Sequence, residues 1–222
     1  PGTHMAPLTD GVSAEELTLF EPLSNMVSWL GRAGFQAGQS IVIQGPGHMG
    51  LTCAAYARSL GAGTVIVTGT ADDTLRLGVA LEVGADHVVD VTACDPVEAV
   101  MDLTGGFGAS LAVDLASAPI TPGLCFDMVH HRGTVIWAGL KDRQAVSVVS
   151  DTVVMKGLTV MGGAGGDAAS VDEAARILNG GGFPTGPLLG AVLGLDEVDR
   201  AMALLHRDGD EDAVRAVLKH TH

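Results

Sequence analysis

The chain has 222 residues, with 12 lysines and arginines against 26 aspartates and glutamates, a net charge of −14. That length supports one to two domains around a sizeable core, and that acidity argues against nucleic acid or an anionic membrane surface as partner. An apolar fraction of 47% with 31 glycines suits a sheet buried on both faces and joined by tight turns, and no apolar run reaches the ~18 residues that a membrane span needs.

Pro1-Gly2-Thr3-His4-Met5 carries no structural pattern and reads as a remnant of protein expression, so the natural segment is expected to begin near Ala6 with no signal peptide. Residues 6–39 form a lead-in. Within residues 10–16, Ser13 with Glu16 three positions later is a capping pair that starts a short helix, and residues 26–30 have helical apolar spacing. Glu21, beside Pro22, heads that second helix, where a carboxylate complements the helix dipole.

The apolar run Ser40-Ile41-Val42-Ile43 then reads as a buried strand that passes through Gly45-Pro46-Gly47-His48-Met49-Gly50 into a helix over residues 51–60. A second strand at 63–68 completes a βαβ unit of about 30 residues. The three glycines have separate mechanical reasons. Gly45 allows a tight exit from the strand, Gly47 lets a pyrophosphate approach the backbone, and Gly50 lets the helix pack closely on the strand. The N–H groups of His48 and Met49 face outward at the positive end of the helix. A dinucleotide phosphate is the natural occupant of that turn.

Downstream the alternation repeats: helix 71–81, strand 84–91, helix 95–103, strand 110–115, helix 119–130, strand 133–139 and strand 158–161. Six strands separated by crossovers predict an α/β fold, a doubly wound, six-stranded parallel sheet of Rossmann type covered on both faces. The tail reads as helix 168–178, strand-like 188–193, helix 195–205 and a short strand 213–218. No linker interrupts it, so residues 40–222 are taken as one nucleotide-binding domain with C-terminal additions. Cys53, Cys94 and Cys125 form no C-x-x-C pair, which supports neither a disulfide framework nor a structural zinc and makes a reducing cytoplasm the default. His130 and His131 fall at a helix end, where a positive charge is favoured. His87, His206, His220 and His222 show no metal spacing.

These residues resemble the cofactor-binding domain of the zinc-dependent medium-chain alcohol dehydrogenases of sorbitol and threonine type. The likeness runs over about residues 10–219. It is carried by Phe20-Glu21-Pro22-Leu23, the Gly45–Gly50 turn, Gly84-Ala85-Asp86-His87-Val88-Val89-Asp90, Gly133-Thr134-Val135-Ile136-Trp137-Ala138-Gly139-Leu140 and residues 193–218. The resemblance implies hydride transfer between a nicotinamide cofactor and a small alcohol or ketone, with zinc as Lewis acid in the intact enzyme. It makes Glu21 a candidate metal ligand or holder of the zinc-bound water. It assigns cofactor contacts to Gly45, Gly47, His48, Met49, Gly50, Gly69, Thr70, Arg76, Leu115, Ala138, Gly139, Leu140 and Gly163, and to Arg215, which is similar in position to a basic residue on the pyrophosphate. The GroES-like lobe that carries the remaining zinc ligands has no counterpart here, so no catalytic residue is assigned and the isolated chain is expected to be inactive. Family members pair through an edge strand of this domain, placed here near residues 188–193, which implies a homodimer.

NAD enzymes place an acid at the end of the second strand to bond the ribose 2′-OH. That place holds Gly69, followed by Thr70, so a 2′-phosphate meets no repulsion there and NADP is expected to be tolerated or mildly preferred over NAD, with Arg76 the nearest cation. Three other readings compete. An adenosylmethionine methyltransferase is disfavoured by Gly69 and Gly50, a zinc-free quinone reductase by the Glu21-Pro22 pair, and a stand-alone, non-catalytic nucleotide-binding module remains open.

Overall fold

The computed structural model describes residues 6–7, 11–206 and 212–220. Residues 1–5, Asp10, residues 207–211 of the closing match and His222 lie outside them. A short helix α1 (Ala14–Leu17) begins at the Ser13–Glu16 capping box, in which Ser13 N donates to Glu16 Oε2 at 2.9 Å. Helix α2 (Phe20–Arg32) is longer than its central spacing implies. Leu19, Leu23, Met26 and Leu30 are all fully buried, and at ~1.5–3 kcal/mol for each buried side chain they fasten this lead-in to the rest of the molecule.

The chain continues through β1 (Ser40–Gln44), α3 (His48–Ser59), β2 (Thr64–Gly69), α4 (Thr74–Glu82), β3 (His87–Asp90), α5 (Pro96–Leu103), β4 (Ala109–Asp114), α6 (Thr121–Met128), β5 (Val129–Trp137), α7 (Ser150–Lys156) and β6 (Thr159–Gly162). These six strands form one parallel sheet in the order β3-β2-β1-β4-β5-β6, the doubly wound arrangement with its switch point between β1 and β4. Strand alternation divides the core in two. Ile41, Ile43, Val65, Val67, Leu111, Val113 and Ile136 pack with α2, α3, α4 and α8 (Ala168–Asn179) on one face. Val42, Ile66, Ala112 and Val135 pack with α5 and α6 on the other. Burial on both faces is why the inner strands read as continuous apolar runs.

The Gly84–Asp90 phrase has a structural explanation here. Arg58, at the end of α3, donates from Nε to Gly84 O at 2.9 Å and from Nη1 to Ala62 O at 2.8 Å, and pairs with Asp86. Asp86 Oδ2 in turn accepts from Val65 N at 2.8 Å, so this arginine and acid tie the entrances of β2 and β3 to α3.

Past β6 the structure corrects several expectations. After α8, residues 185–189 are a helix, α9 (Thr185–Leu189), and Gly190 at φ 67° breaks it before β7 (Ala191–Gly194). After α10 (Val198–His206), β7 pairs in parallel with β8 (Ala216–Lys219) as a separate two-stranded sheet. Residues 188–193 are therefore no edge of the main sheet; its edges are β3 and β6. His130 and His131 lie on β5 rather than at a helix end, because that strand begins at the buried Val129, opposite Ala109, across a register shift. Among the described residues no helix is long and apolar enough to cross a membrane.

Candidate functional site

The C-terminal ends of β1, β2, β4, β5 and β6 meet along one rim, and glycines set how closely they approach. Gly45 leaves β1 at φ +99°, and a Cβ there would stand 3.0 Å from Ala116 N and Cα. A Cβ on Gly50 would lie 1.9 Å from Gly45 O, one on Gly139 2.2 Å from Ala116 O, and one on Gly163 2.9 Å from Ala138 Cβ. Gly47 is different: nothing lies within 4 Å of its Cβ position. It is the N-cap of α3 and has no side chain to cap it, so the positive end of that helix faces open space. Met49 is half-buried against the core, while His48 as a whole residue keeps surface open to solvent even though its ring is partly desolvated. Leu115 N donates to Gln44 O at 2.9 Å, and Ala138 N and Gly139 N both donate to Asp114 O, at 3.0 and 2.8 Å.

Charges gather in front of the turn. The His48 imidazole is held below its usual range, first by desolvation, then by Arg215 and Arg76, with Glu21 opposing. Arg215 is likewise shifted down by desolvation, and Glu21 offsets part of it. Arg215 Nη2 donates to Thr18 O, while Nη1 is buried with no hydrogen-bond partner. Arg76 does not stand free for a ribose phosphate. Its Nη2 donates to Asp212 Oδ1 at 3.1 Å and Ala213 O at 3.0 Å, although its Nε is buried without a hydrogen-bond partner.

At the end of β2 the absence of an acid at Gly69 has a steric cause. A Cβ there would meet Pro46 Cγ at 2.9 Å, Leu77 Cδ2 at 3.1 Å and Asp73 Cβ at 3.2 Å. A carboxylate is nevertheless nearby: Asp73 Oδ2 accepts from Thr70 N at 2.8 Å and Thr70 Oγ1 at 2.9 Å. The Thr70-x-x-Asp73 spacing is a capping signal that the sequence carries openly. A cleft of about 150 Å³ opens here, lined by Gly45, Pro46, Gly69, Thr70, Asp73 and Ile120 among others. Sequence reasoning missed Asp114 and Lys141, an ion pair of 2.9 Å with side chains 1% and 10% exposed. Leu140 next to them is 84% exposed.

Glu21 Oε1 accepts from Asn25 Nδ2 at 2.6 Å. Among the described residues no group of three or more His, Cys, Asp or Glu could hold a metal ion, so no ligand set surrounds Glu21 among them and no step through a metal is derived from it. The thiols offer none either. Cys53 and Cys125 are buried, and burial pushes each up to about 12. Only Cys94 is exposed. Alkylation of the folded chain at pH 8 is therefore expected to label Cys94 alone and to label all three after unfolding; a second rapid label would contradict this burial.

A family model described as "Zinc-binding dehydrogenase" matches residues 49–180, more than half of the chain. The chain belongs to the zinc-binding dehydrogenase family. It is 34% identical over 216 residues to "Probable alcohol dehydrogenase adh" of Mycobacterium tuberculosis, covering 94% of this chain and 59% of that protein. It is 30% identical over 172 residues to the sorbitol dehydrogenase of Halalkalibacterium halodurans, covering 78% and 50%. A Sinorhizobium meliloti 1021 structure described as a zinc-binding dehydrogenase bound to NADP superposes with a TM-score of 0.84 at 22% identity, covering 95% of this chain and 60% of that one. The family member described here thus spans about two-fifths to three-fifths of the relatives it matches, and the shared fold is the doubly wound sheet with its additions.

Proposed function

We propose that this chain is the cofactor-binding part of a nicotinamide-dependent alcohol dehydrogenase. The observation that carries the reading is the buried, unpartnered Arg215 Nη1 beside an uncapped helix N-terminus at the β1/β4 switch point. A buried polar atom without a partner costs about 1–3 kcal/mol, and a diphosphate between that nitrogen and the α3 amides would satisfy both. Gly47 leaves the space, Gly45 and Gly50 fix the turn, and Arg215 neutralises the charge. The cleft at Gly69, Thr70 and Asp73 takes the adenosine half, while Ala138, Gly139 and Gly163 shape the rim for the nicotinamide half. When bound, the dinucleotide supplies hydride chemistry at its nicotinamide ring, with a small alcohol or ketone as the reacting partner. Zinc enters this reading only as a group of the longer enzyme, with Glu21 as its contact among the described residues of this chain.

Titration of the chain with NADH and NADPH by nicotinamide fluorescence tests the assignment, and saturable binding of at least one is required. NADPH is expected to bind at least as tightly as NADH. Gly69 offers no carboxylate, and the Asp73 charge is already met by both Thr70 donors. A tenfold preference for NADH would sink that cofactor choice while leaving the site in place. The unpaired edge at β6, flanked by the exposed Leu140, Val149, Val154 and Met155, supports a homodimer through that edge. A monomer by light scattering at high concentration would count against it.

A further inference from the structure

We propose that the Lys141–Asp114 pair is a positioning device for the nicotinamide half of the cofactor, an inference that rests on the reading above. In a doubly wound sheet the two halves of a dinucleotide lie on opposite sides of the switch point. Asp114 ends β4, and Lys141 sits in the loop that follows β5, so the pair belongs to the β4-β5-β6 half.

Asp114 joins three segments. Its Oδ1 accepts from Thr121 Oγ1 at 2.7 Å, at the start of α6, and from Ala116 N at 3.3 Å. Its Oδ2 is 2.9 Å from Lys141 Nζ. Lys141 Nζ also donates to Ala116 O. That carbonyl is the one a Cβ on Gly139 would strike, and Ala116 N and Cα are the atoms that a Cβ on Gly45 would strike. The Ala116 peptide is therefore the crossing point of the phosphate turn, the end of β4 and the end of β5, and the lysine grips it from the β5 side.

The loop needs such a grip. Residues 138–149 contain no helix or strand. Just after Lys141 the backbone turns through Asp142 at φ 48° and Arg143 at φ 61°, both left-handed without being glycine, and Gln144 N closes the turn on Lys141 O at 2.8 Å. Two consecutive residues in that region are strained and persist only where their surroundings hold them. The buried ammonium supplies the hold. A loop fixed before the ligand arrives loses less freedom on binding, so the lysine's benefit falls on whatever touches that loop, while Ala116 and Thr121, which also line the cleft beside Gly69, are held by Asp114 Oδ1.

The test compares NADH with ADP-ribose, which lacks only the nicotinamide ring. Lys141→Met alone strands a buried carboxylate, so the decisive variant is the double Asp114→Asn/Lys141→Met, which removes both charges and keeps the Thr121 and Ala116 contacts within reach. Its ADP-ribose affinity is expected to stay within about twofold of the original chain, while NADH affinity falls by about tenfold or more. Lys141→Arg, with Asp114 intact, is expected to restore most of the loss. Equal losses for both ligands, no loss for either, or a double variant without a cooperative thermal transition would each overturn the proposal, the last because the pair would then be a folding element. An original chain that binds neither ligand would instead overturn the cofactor reading, and this inference with it.

Discussion

Gly50→Ala is expected to destabilise the fold by about 2–4 kcal/mol, against the usual sign of that substitution in a helix. Elsewhere within a helix, alanine in place of glycine gains about 1 kcal/mol. Here the added methyl would lie 1.9 Å from Gly45 O and 3.1 Å from Gly45 C. Both obstacles are backbone, already fixed by Gly45 N donating to Thr68 O at 3.1 Å and by the close fit of Gly45 on Ala116. Relief requires α3 to lift off β1, which opens the core around Ile43 and Leu51, both fully buried. Gly47→Ala is the matched control. Its φ of −68° and ψ of 175° suit any residue, and its Cβ position is empty, so the cost is limited to the ~0.5–1 kcal/mol by which glycine is the better N-cap. The same methyl stands where a diphosphate would approach. Denaturant unfolding is therefore expected to separate the two variants in one order, and NAD(P)H titration of the folded Gly47→Ala chain to show at least tenfold weaker binding. Unfolding midpoints for Gly50→Ala at or above the original would refute the close-packing argument.

The contrast between those glycines marks what a sequence can disclose. The turn was legible because its pattern is local: strand, glycine spacing and helix follow one another within about 20 residues, and Gly50 answers to Gly45 inside that stretch, although Gly45 itself packs on the distant Ala116. The inner strands were legible because burial on both faces writes itself as an unbroken apolar run. Where the reason is remote, the reading failed. Helix α7 has no buried residue, so nothing in its apolar spacing distinguishes it from a loop. Strand β5 starts four residues before its apolar run, because Val129 is fixed by Ala109 across the sheet while two histidines follow it. Leu188 is an apolar residue of a helix, and only the positive φ of Gly190 tells where the strand begins. The charges were the least legible part of the site. Sequence position makes Arg76 the cation nearest the ribose, but its guanidinium is engaged 136 residues away at Asp212. Asp114 and Lys141 gave no signal, because an ion pair across two strand ends has no periodicity.

Arg215→Met is expected to weaken dinucleotide binding by about 10- to 100-fold while shifting stability by no more than about 1–2 kcal/mol, the range of a charge-assisted hydrogen bond to a ligand set against one intramolecular bond. The two effects part because the guanidinium is only half used in the free chain. Nη2 holds Thr18 O, 197 positions earlier, and that bond fastens the lead-in to the strand entering β8. Nη1 is buried and unpartnered, and the whole group is desolvated enough to shift its proton affinity down. Removing a partly satisfied buried charge relieves desolvation while losing one bond, so the net change in folding is small and of either sign. In the bound state proposed above the same nitrogen would face a diphosphate, and its loss would be uncompensated. Glu21 and His48 supply the internal check. Both lie within electrostatic reach of Arg215, and the His48 imidazole is depressed partly by that cation, so in Arg215→Met its titration is expected to move up toward the ordinary histidine range. A folded Arg215→Met chain that binds NADH and NADPH within twofold of the original would remove the diphosphate from the front of α3, and with it the reason to read this rim as a cofactor site.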